Sequence, residues 1–243
     1  MVVFRVSLLL EPVPQGVVNE VVDGIYEEIE RSRFDEGEGV RLVSGEHLTA
    51  GARYEWTDGA LTLGAWQRDR EIKFDADFPG SRAAVCISND ADGRPVALAG
   101  AGSMGRSARQ RLTWEGKADL ARWWGGSGKE PPVAGGLGHR FGRGGIALNC
   151  APAEGRWKVD VRAEVRGRWL LRPVIGFALL CARPWWSRRI REAAARFEAR
   201  WNAKAPEVLA QLREGSAFQQ LERLLESQRR ELDGWVAQTE TQP

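Results

Sequence analysis

The alternation of apolar and charged residues after Trp157 constrains this chain more than any other feature. Val159, Val161, Ala163 and Val165 alternate with Asp160, Arg162, Glu164 and Arg166. This period of two belongs to a β-strand with one buried face. After a turn at Gly167, an apolar stripe recurs at helical spacing, made of Ile190, Ala194, Phe197 and Trp201. The stretch 157–201 therefore predicts a last strand leading into a long C-terminal helix that packs over its own sheet.

A run of short strands is predicted from Val40 to Trp114. The strands are separated by hairpin turn chemistry at 57–59, 78–81 and 89–93. Hairpins need no crossover helices, so the sheet is expected to be antiparallel. A short helix is predicted at 117–124. The glycine- and proline-rich segment after it predicts a long surface loop, before strands resume near His139 and at Arg156.

The N-terminal segment predicts one strand and one helix. Residues 2–10 alternate loosely and stop at Pro12 and Pro14, while 15–31 carry valine and isoleucine on one face and glutamates on the other. The predicted fold class is therefore α+β: a curved antiparallel sheet packed on a long C-terminal helix, with a helical extension beyond it.

Charge is distributed unevenly along the 243 residues, although the net charge is only +2. From Glu11 to Asp58 there are twelve acidic and four basic residues; from Arg156 to Arg200 there are twelve basic and four acidic ones. The simplest interpretation is mutual attraction between the two segments or plainly solvated faces. The alternative is a basic face for nucleic acid or anionic lipid.

The three cysteines, Cys86, Cys150 and Cys181, are odd in number and lie in apolar runs. They predict reduced, buried thiols in a cytoplasmic protein rather than disulfides or a metal site. The N-terminus carries neither a basic region nor a small-residue cleavage site, so no signal peptide is expected. The apolar run 173–182 is too short to cross a bilayer.

Several motifs that could carry chemistry are weak here. Residues 100–105 match GxGxxG, but no βαβ alternation surrounds them, so a glycine-rich strand or turn is expected and no cofactor. His47 and His139 are the only histidines, and no ligand cluster joins them, so no metal site is expected. Asp75 and Asp77 are expected on the wet face of a strand. No catalytic residue is identified.

The order of elements resembles the START-like (SRPBCC) superfamily of polyketide cyclases and lipid-transport proteins. The resemblance covers 1–78 and 156–204. It lies in the segment from Glu11 to Asp23, with its prolines before an apolar helix, in the strand from Leu48 to Tyr54, and in the strand-to-helix junction from Val165 to Trp169. It implies a helix-grip fold, in which the sheet wraps the C-terminal helix around a cavity. The sequence departs from that pattern by an insertion at about 115–145 and by helix beyond 205.

The resemblance implies a cytoplasmic protein that binds an apolar small molecule or lipid, as a carrier or a polyketide cyclase-like protein. We expect aromatic side chains on the hairpin strands and the C-terminal helix to line the cavity, with Tyr54 offering a hydrogen bond and Arg53 a charge. The predicted ligand-binding residues are Arg53, Tyr54, Trp56, Trp66, Trp169 and Phe177. The domain is predicted to span 1–204, followed by a helical extension at 205–243.

The alternative function is a non-enzymatic interaction protein that uses its basic helix on a membrane or a macromolecular partner. Trp185 and Trp186, with Arg188 and Arg189, suit a peripheral membrane contact. Nucleobase stacking fits the same residues, but a nucleic acid partner is not expected. The favoured interpretation is that both tryptophans are core residues at a helix start. The apolar spacing from Phe218 to Trp235 predicts a homodimer through 216–237.

Overall fold

A computed structural model describes residues 1–32, 39–105, 111–126, 128–167 and 182–214. The chain divides into two compact units. The first comprises Met1–Pro12 and Arg33–Asn202 and holds the whole sheet. The second comprises Val13–Ser32 and the chain from Ala203 onward. The predicted terminal heptad, the dimer contact at 216–237, Trp169 and Phe177 lie outside the described residues.

The first unit is built on an open antiparallel sheet of 11 strands. Its strands lie in the spatial order β1-β11-β10-β9-β8-β7-β6-β5-β4-β3-β2, so successive hairpins are neighbours and β1 adds to the far side of β11. The strands are β1 Val2–Leu10, β2 Arg41–Ser44, β3 Arg53–Trp56, β4 Gly59–Gln67, β5 Glu71–Phe78, β6 Ser81–Asn89, β7 Pro95–Met104, β8 Leu112–Asp119, β9 Val133–His139, β10 Gly142–Ala153 and β11 Arg156–Gly167.

The described residues contain three helices: α1 Gln15–Arg31, α2 Leu120–Gly125 and α3 Arg183–Glu214. Helix α2 begins where the Asp119 carboxylate accepts the Arg122 amide, and it ends at Gly126, whose φ of +65° suits glycine. The predicted bounds of α1 are confirmed. The α+β class with an antiparallel sheet and a C-terminal helix is also confirmed.

The predicted surface loop after the short helix is wrong, because its second half forms β9 inside the sheet. β9 pairs with both β8 and β10. Its glycines allow close approach of neighbouring side chains. A Cβ on Gly138 would lie 2.5 Å from the Thr113 hydroxyl, and one on Gly136 would lie 3.1 Å from the Glu115 carboxylate. The glycines that predict a loop instead accommodate cross-strand neighbours.

Helix α3 covers the free edge of β1 at the C-terminal end of the strand, near Leu9. Asn202 accepts a hydrogen bond from the Glu11 amide at 2.8 Å and donates one to the Leu9 carbonyl, while Glu198 accepts from the Leu9 amide. The Trp201 indole donates to the Glu11 carbonyl at 2.9 Å. Backbone groups that an edge strand would leave unpaired are thus bound by side chains of one helix.

Helix α3 runs without interruption across the predicted domain boundary at 204–205, continuing through Pro206 to Glu214. Proline lacks the amide that would donate to the carbonyl of Asn202, four residues earlier. The helix tolerates the loss of this hydrogen bond. The boundary between the two units falls between Asn202 and Ala203, just before Pro206. Among the described helices, none is long and apolar enough to span a bilayer.

Candidate functional site

Strand register sorts the side chains of the sheet onto two chemically different faces. One face carries the apolar residues of every strand and is called the apolar face below. The row Val85, Gly100, Gly116, Gly135, Ile146, Ala163 and Phe4 crosses it strand by strand. The other, polar face carries charged residues such as Asp75, Asp77, Arg82 and Glu164, which confirms the wet-face interpretation of the aspartates.

One end of the apolar face is covered by helices. Leu8, Leu10, Cys150 and Val159 are buried there, and Val159 is only 1% exposed. The residues packed against them are Trp123 of α2, Leu148, Trp157, Val161, and Ala194 and Trp201 of α3. Trp123 meets Trp157 edge to face, with ring centroids 5.6 Å apart. Burial raises the pKa of the Cys150 thiol, so it stays protonated at neutral pH.

The opposite end of the apolar face is covered by the loop between β2 and β3. Ala52, Tyr54 and Leu63 are buried, with Leu42, Leu48, Leu61, Trp66 and Phe74 packed around them. The Tyr54 hydroxyl accepts the Leu48 amide and bonds His47 Nδ1, each at 2.9 Å. Tyr54 therefore holds the covering loop in place.

Between the two ends lies the open middle, defined here as the apolar face around Gly116 with Trp114, Leu137 and Ile146. Leu137 is 53% exposed and Ile146 is 45% exposed. Among the described residues, the heavy atom nearest to a Cβ on Gly116 would be the Ala134 carbonyl oxygen at 3.9 Å, so no described side chain covers the floor here. The glycine row between Val85 and Ile146 spans four inter-strand steps, roughly 19 Å.

Trp114 and Ile146 form the two sides of this bare floor. The Trp114 indole lies over Gly100 and Gly102 of the neighbouring strand, where a Cβ would meet it at 3.2 and 2.6 Å. On the other side, the Ile146 Cγ2 methyl would be 3.4 Å from a Cβ on Gly135. The arrangement offers an aromatic surface and aliphatic groups to a flat or elongated apolar molecule.

The structure divides the residues predicted to bind a ligand. Tyr54, Trp56 and Trp66 lie on the apolar face, whereas Arg53 lies on the polar face, because neighbours on a strand point to opposite sides. Trp66 shares a face with Leu63 only because the register shifts between Leu63 and Ala65.

The two tryptophans of this set are far apart. Trp56 pairs with Gly59 at one end of β4, and Trp66 lies seven residues further on, a distance of about 23 Å along a strand. Trp56 meets Phe78 edge to face, with centroids 5.6 Å apart. They occupy different parts of the apolar face.

Arg53 instead lines a polar cavity of about 870 Å³ at the hairpin ends of the sheet. Arg53 pairs with Glu55 at 3.1 Å, Arg82 with Asp77 at 2.7 Å, and Arg111 donates to Ser103. Its arginines are thus matched by acids or hydroxyls already present. This cavity is wet and electrically balanced.

The structure shows where the remaining sequence motifs lie. Residues 100–104 of the GxGxxG match lie on β7, as expected for a glycine-rich strand. His139 contacts Phe141, with ring centroids 5.1 Å apart. Trp185 and Trp186, expected in the core, are 54% and 44% exposed, so that interpretation is wrong. In the parts of the chain that the structure describes, no three His, Cys, Asp or Glu side chains converge.

The residues of the open middle were not among those predicted from the sequence. Leu137 and Gly135 fall in the segment interpreted as a loop, and Trp114 and Ile146 carry no motif. The signal lies in pairing: glycines on neighbouring strands line up at 100, 116 and 135. That alignment depends on register, which a single strand does not reveal.

Comparison with known proteins adds little to this geometry. No protein-family model and no curated protein sequence matches the chain. Among solved structures it is similar to DynU16, a protein in the dynemicin biosynthetic locus, at 10% identity and a TM-score of 0.17. The match covers 67% of this chain and 86% of DynU16. A likeness at this TM-score carries no argument about function.

Proposed function

We propose that this protein binds an apolar small molecule or lipid on the open middle of the sheet, between Trp114 and Ile146. The observation that supports this is exposed carbon surface at the centre of a face that is covered at both ends. Leu137 and Ile146 are about half exposed beside a bare glycine floor. Contiguous exposed apolar surface of this kind is where ligands bind.

The binding energy available is enough for a carrier. Covering about 200 Å² of apolar surface contributes roughly 5 kcal/mol before the cost of association. Orientation would come from shape rather than charge, because the centre of the face presents aromatic and aliphatic groups. The chemistry that fits is an acyl chain or a flat hydrocarbon ring system.

The proposal extends the START-like resemblance, in which a sheet and a C-terminal helix enclose a cavity. The helix-grip arrangement and a carrier role in the cytoplasm are part of the proposal. We infer a carrier rather than a cyclase, because the described side chains of the open middle, Trp114, Leu137 and Ile146, offer no acid, base or nucleophile. The contacts proposed at Arg53, Tyr54, Trp56, Trp66, Trp169 and Phe177 remain secondary proposals.

A space-filling substitution tests the proposal. Gly116→Leu places a side chain on the bare floor without a clash at Cβ. Displacing about 60 Å² of ligand contact should weaken binding of the neutral probe N-phenyl-1-naphthylamine by roughly tenfold. The matched control is Ala101→Leu, an exposed position on the polar face of the neighbouring strand, which should leave probe binding unchanged.

Native mass spectrometry of the purified protein complements the titration. A retained apolar molecule, lost in the Gly116→Leu variant, supports the proposal. Equal probe affinity in the wild type, Gly116→Leu and Ala101→Leu proteins would overturn it, as would a wild-type protein that binds no probe.

A further inference from the structure

Helix α3 presents two chemically different sides over residues 183–202. The side facing the sheet is formed by Ala194 and Trp201, with Glu198 and Asn202 on the β1 edge. The exposed remainder of the helix carries a run of large side chains. Phe197 lies at the margin of this run, where its ring stacks on Trp201 with centroids 6.0 Å apart. This outer stripe consists of Trp185, Trp186, Arg189, Arg196, Phe197 and Arg200.

The aromatic members of the outer stripe are unusually accessible. Trp185, Trp186 and Phe197 are 54%, 44% and 50% exposed. The two indoles meet edge to face with centroids 4.9 Å apart, and the Arg189 guanidinium lies 5.4 Å from the Trp185 ring centroid. Leaving both indole rings of such a pair exposed to water is costly. Tryptophan is enriched at surfaces that meet lipid headgroups.

The arginines of the outer stripe are only weakly paired among the described residues. Glu192 is engaged by Arg188 at 2.8 Å, and that hydrogen bond lowers the pKa of the Glu192 carboxyl. Arg189, Arg196 and Arg200 form no salt bridge with any described residue, although Arg189 and Arg196 lie close enough to Glu192 to help lower that pKa. One carboxylate, Glu192, among these arginines leaves the outer stripe with a net positive charge for a partner.

We infer that the outer stripe of α3 docks on an anionic lipid surface, with the indoles at headgroup depth and Arg189, Arg196 and Arg200 on phosphates. Charge complementarity argues for a negative partner, and three exposed aromatic rings argue for an apolar one. This inference stands apart from the proposed apolar ligand, since it uses a different element and a different surface.

Lipid suits the outer stripe better than nucleic acid. Stacking on nucleobases requires open aromatic faces. In the outer stripe the Trp185 ring meets the Trp186 ring edge to face and already has the Arg189 guanidinium over it, so the indole and guanidinium groups are packed against one another. These groups match the layered chemistry of a bilayer surface, where phosphates lie just above hydrocarbon.

Vesicle flotation of the full chain tests the inference, with phosphatidylcholine vesicles that contain or lack phosphatidylglycerol. The wild type should float with the anionic vesicles, and high salt should reduce the bound fraction. The triple variant Arg189→Gln/Arg196→Gln/Arg200→Gln should partition on the order of a hundredfold less, because each basic residue near an anionic surface contributes about fivefold. The matched control neutralises Arg143, Lys158 and Arg166, exposed on the polar face, and should keep binding.

A second variant keeps the charges and removes the rings. Trp185→Ala/Trp186→Ala should lose binding in high salt while retaining part of it in low salt. Circular dichroism and thermal unfolding verify that each variant is folded. Three results would overturn the inference: no binding to anionic vesicles, equal loss in the control variant, or binding to a single-stranded oligonucleotide that the same substitutions abolish while vesicle binding is absent.

Discussion

Two regions of the same apolar face, the helix-covered end and the open middle, differ in almost nothing except what lies over them. Val159 on β11 is 1% exposed, whereas Ile146 on the adjacent strand β10 is 45% exposed. Both are β-branched, both point to the same side of the sheet, and both belong to regular antiparallel ladders. Only the first lies under Trp123, Ala194 and Trp201.

This difference separates the residues that stabilise the fold from those available for binding. A buried side chain contributes its transfer free energy to folding. An exposed one has contributed only part of it, and the remainder can be gained on association. The open middle is therefore a region where apolar residues exceed what the folded chain itself covers.

The largest expected effect comes from comparing a fully covered position of the apolar face with one in the open middle. Ile72→Ala removes a side chain that is 2% exposed and should lower the free energy of unfolding by about 2–5 kcal/mol. Ile146→Ala in the open middle should cost less than about 1 kcal/mol, because nearly half of its surface already contacts solvent.

Urea denaturation measures both values, and an unchanged m-value verifies that the transitions are comparable. Equal destabilisation by Ile72→Ala and Ile146→Ala would show that the middle is packed in solution, and the comparison would fail.

Two glycine substitutions test the same contrast with smaller expected changes in the free energy of unfolding. Gly102→Ala places a Cβ 2.3 Å from the Arg82 carbonyl oxygen and 2.6 Å from the Trp114 indole nitrogen, so the strand must shift. We expect a loss of about 1–3 kcal/mol. Gly116→Ala makes only an ordinary contact, with the Ala134 carbonyl oxygen at 3.9 Å, and should stabilise the fold by about 0.5 kcal/mol, because alanine has less freedom in the unfolded chain. Thermal unfolding of the two variants should shift in opposite directions; a loss at both positions contradicts a bare floor at Gly116.

Thiol labelling tests the same comparison with the smallest expected effect on stability. Its rate measures directly how well each region of the apolar face is covered. In a Cys86→Ser/Cys181→Ser background, Cys150 reports the helix-covered end, and Leu137→Cys with Cys150→Ser reports the open middle. Cys150 should react at least ~100-fold more slowly, the factor imposed by a local opening free energy of about 3 kcal/mol. The raised pKa of Cys150 acts in the same direction, since less thiolate is present. Similar rates would mean that α3 and α2 do not protect this end.

Much of the fold could be predicted because its determinants are local. Helix α1 follows from the spacing of its valines and isoleucines, and the hairpins up to β7 follow from alternation and from turns such as 57–59 and 89–93. Local chemistry of this kind needs no knowledge of the partner strand. The face on which Arg53 and Tyr54 lie also follows from alternation alone.

The rest depends on contacts between distant segments. Strand β9 is glycine-rich because Thr113 and Glu115 of the neighbouring strand occupy the space where its side chains would be. Trp66 reaches the apolar face through a register shift near Gly64, and the alternation of β4 does not show it. The bare floor at Gly116 arises from the register of three strands together. Strand pairing decides these features, and the sequence of a single strand does not specify which strand it pairs with or in which register.

The hydrogen bonds from α3 to β1 determine how late during synthesis the edge of β1 can be covered. β1 is translated long before its neighbour β11 and the helix side chains on its edge; Asn202 and Leu9 are 193 residues apart. At roughly 5–20 residues per second, the ribosome needs about 10–40 s to cover that separation. For most of this interval the apolar Val2–Leu10 has neither its strand partner nor its covering helix, so the nascent chain must be shielded from its neighbours until β11 and α3 emerge.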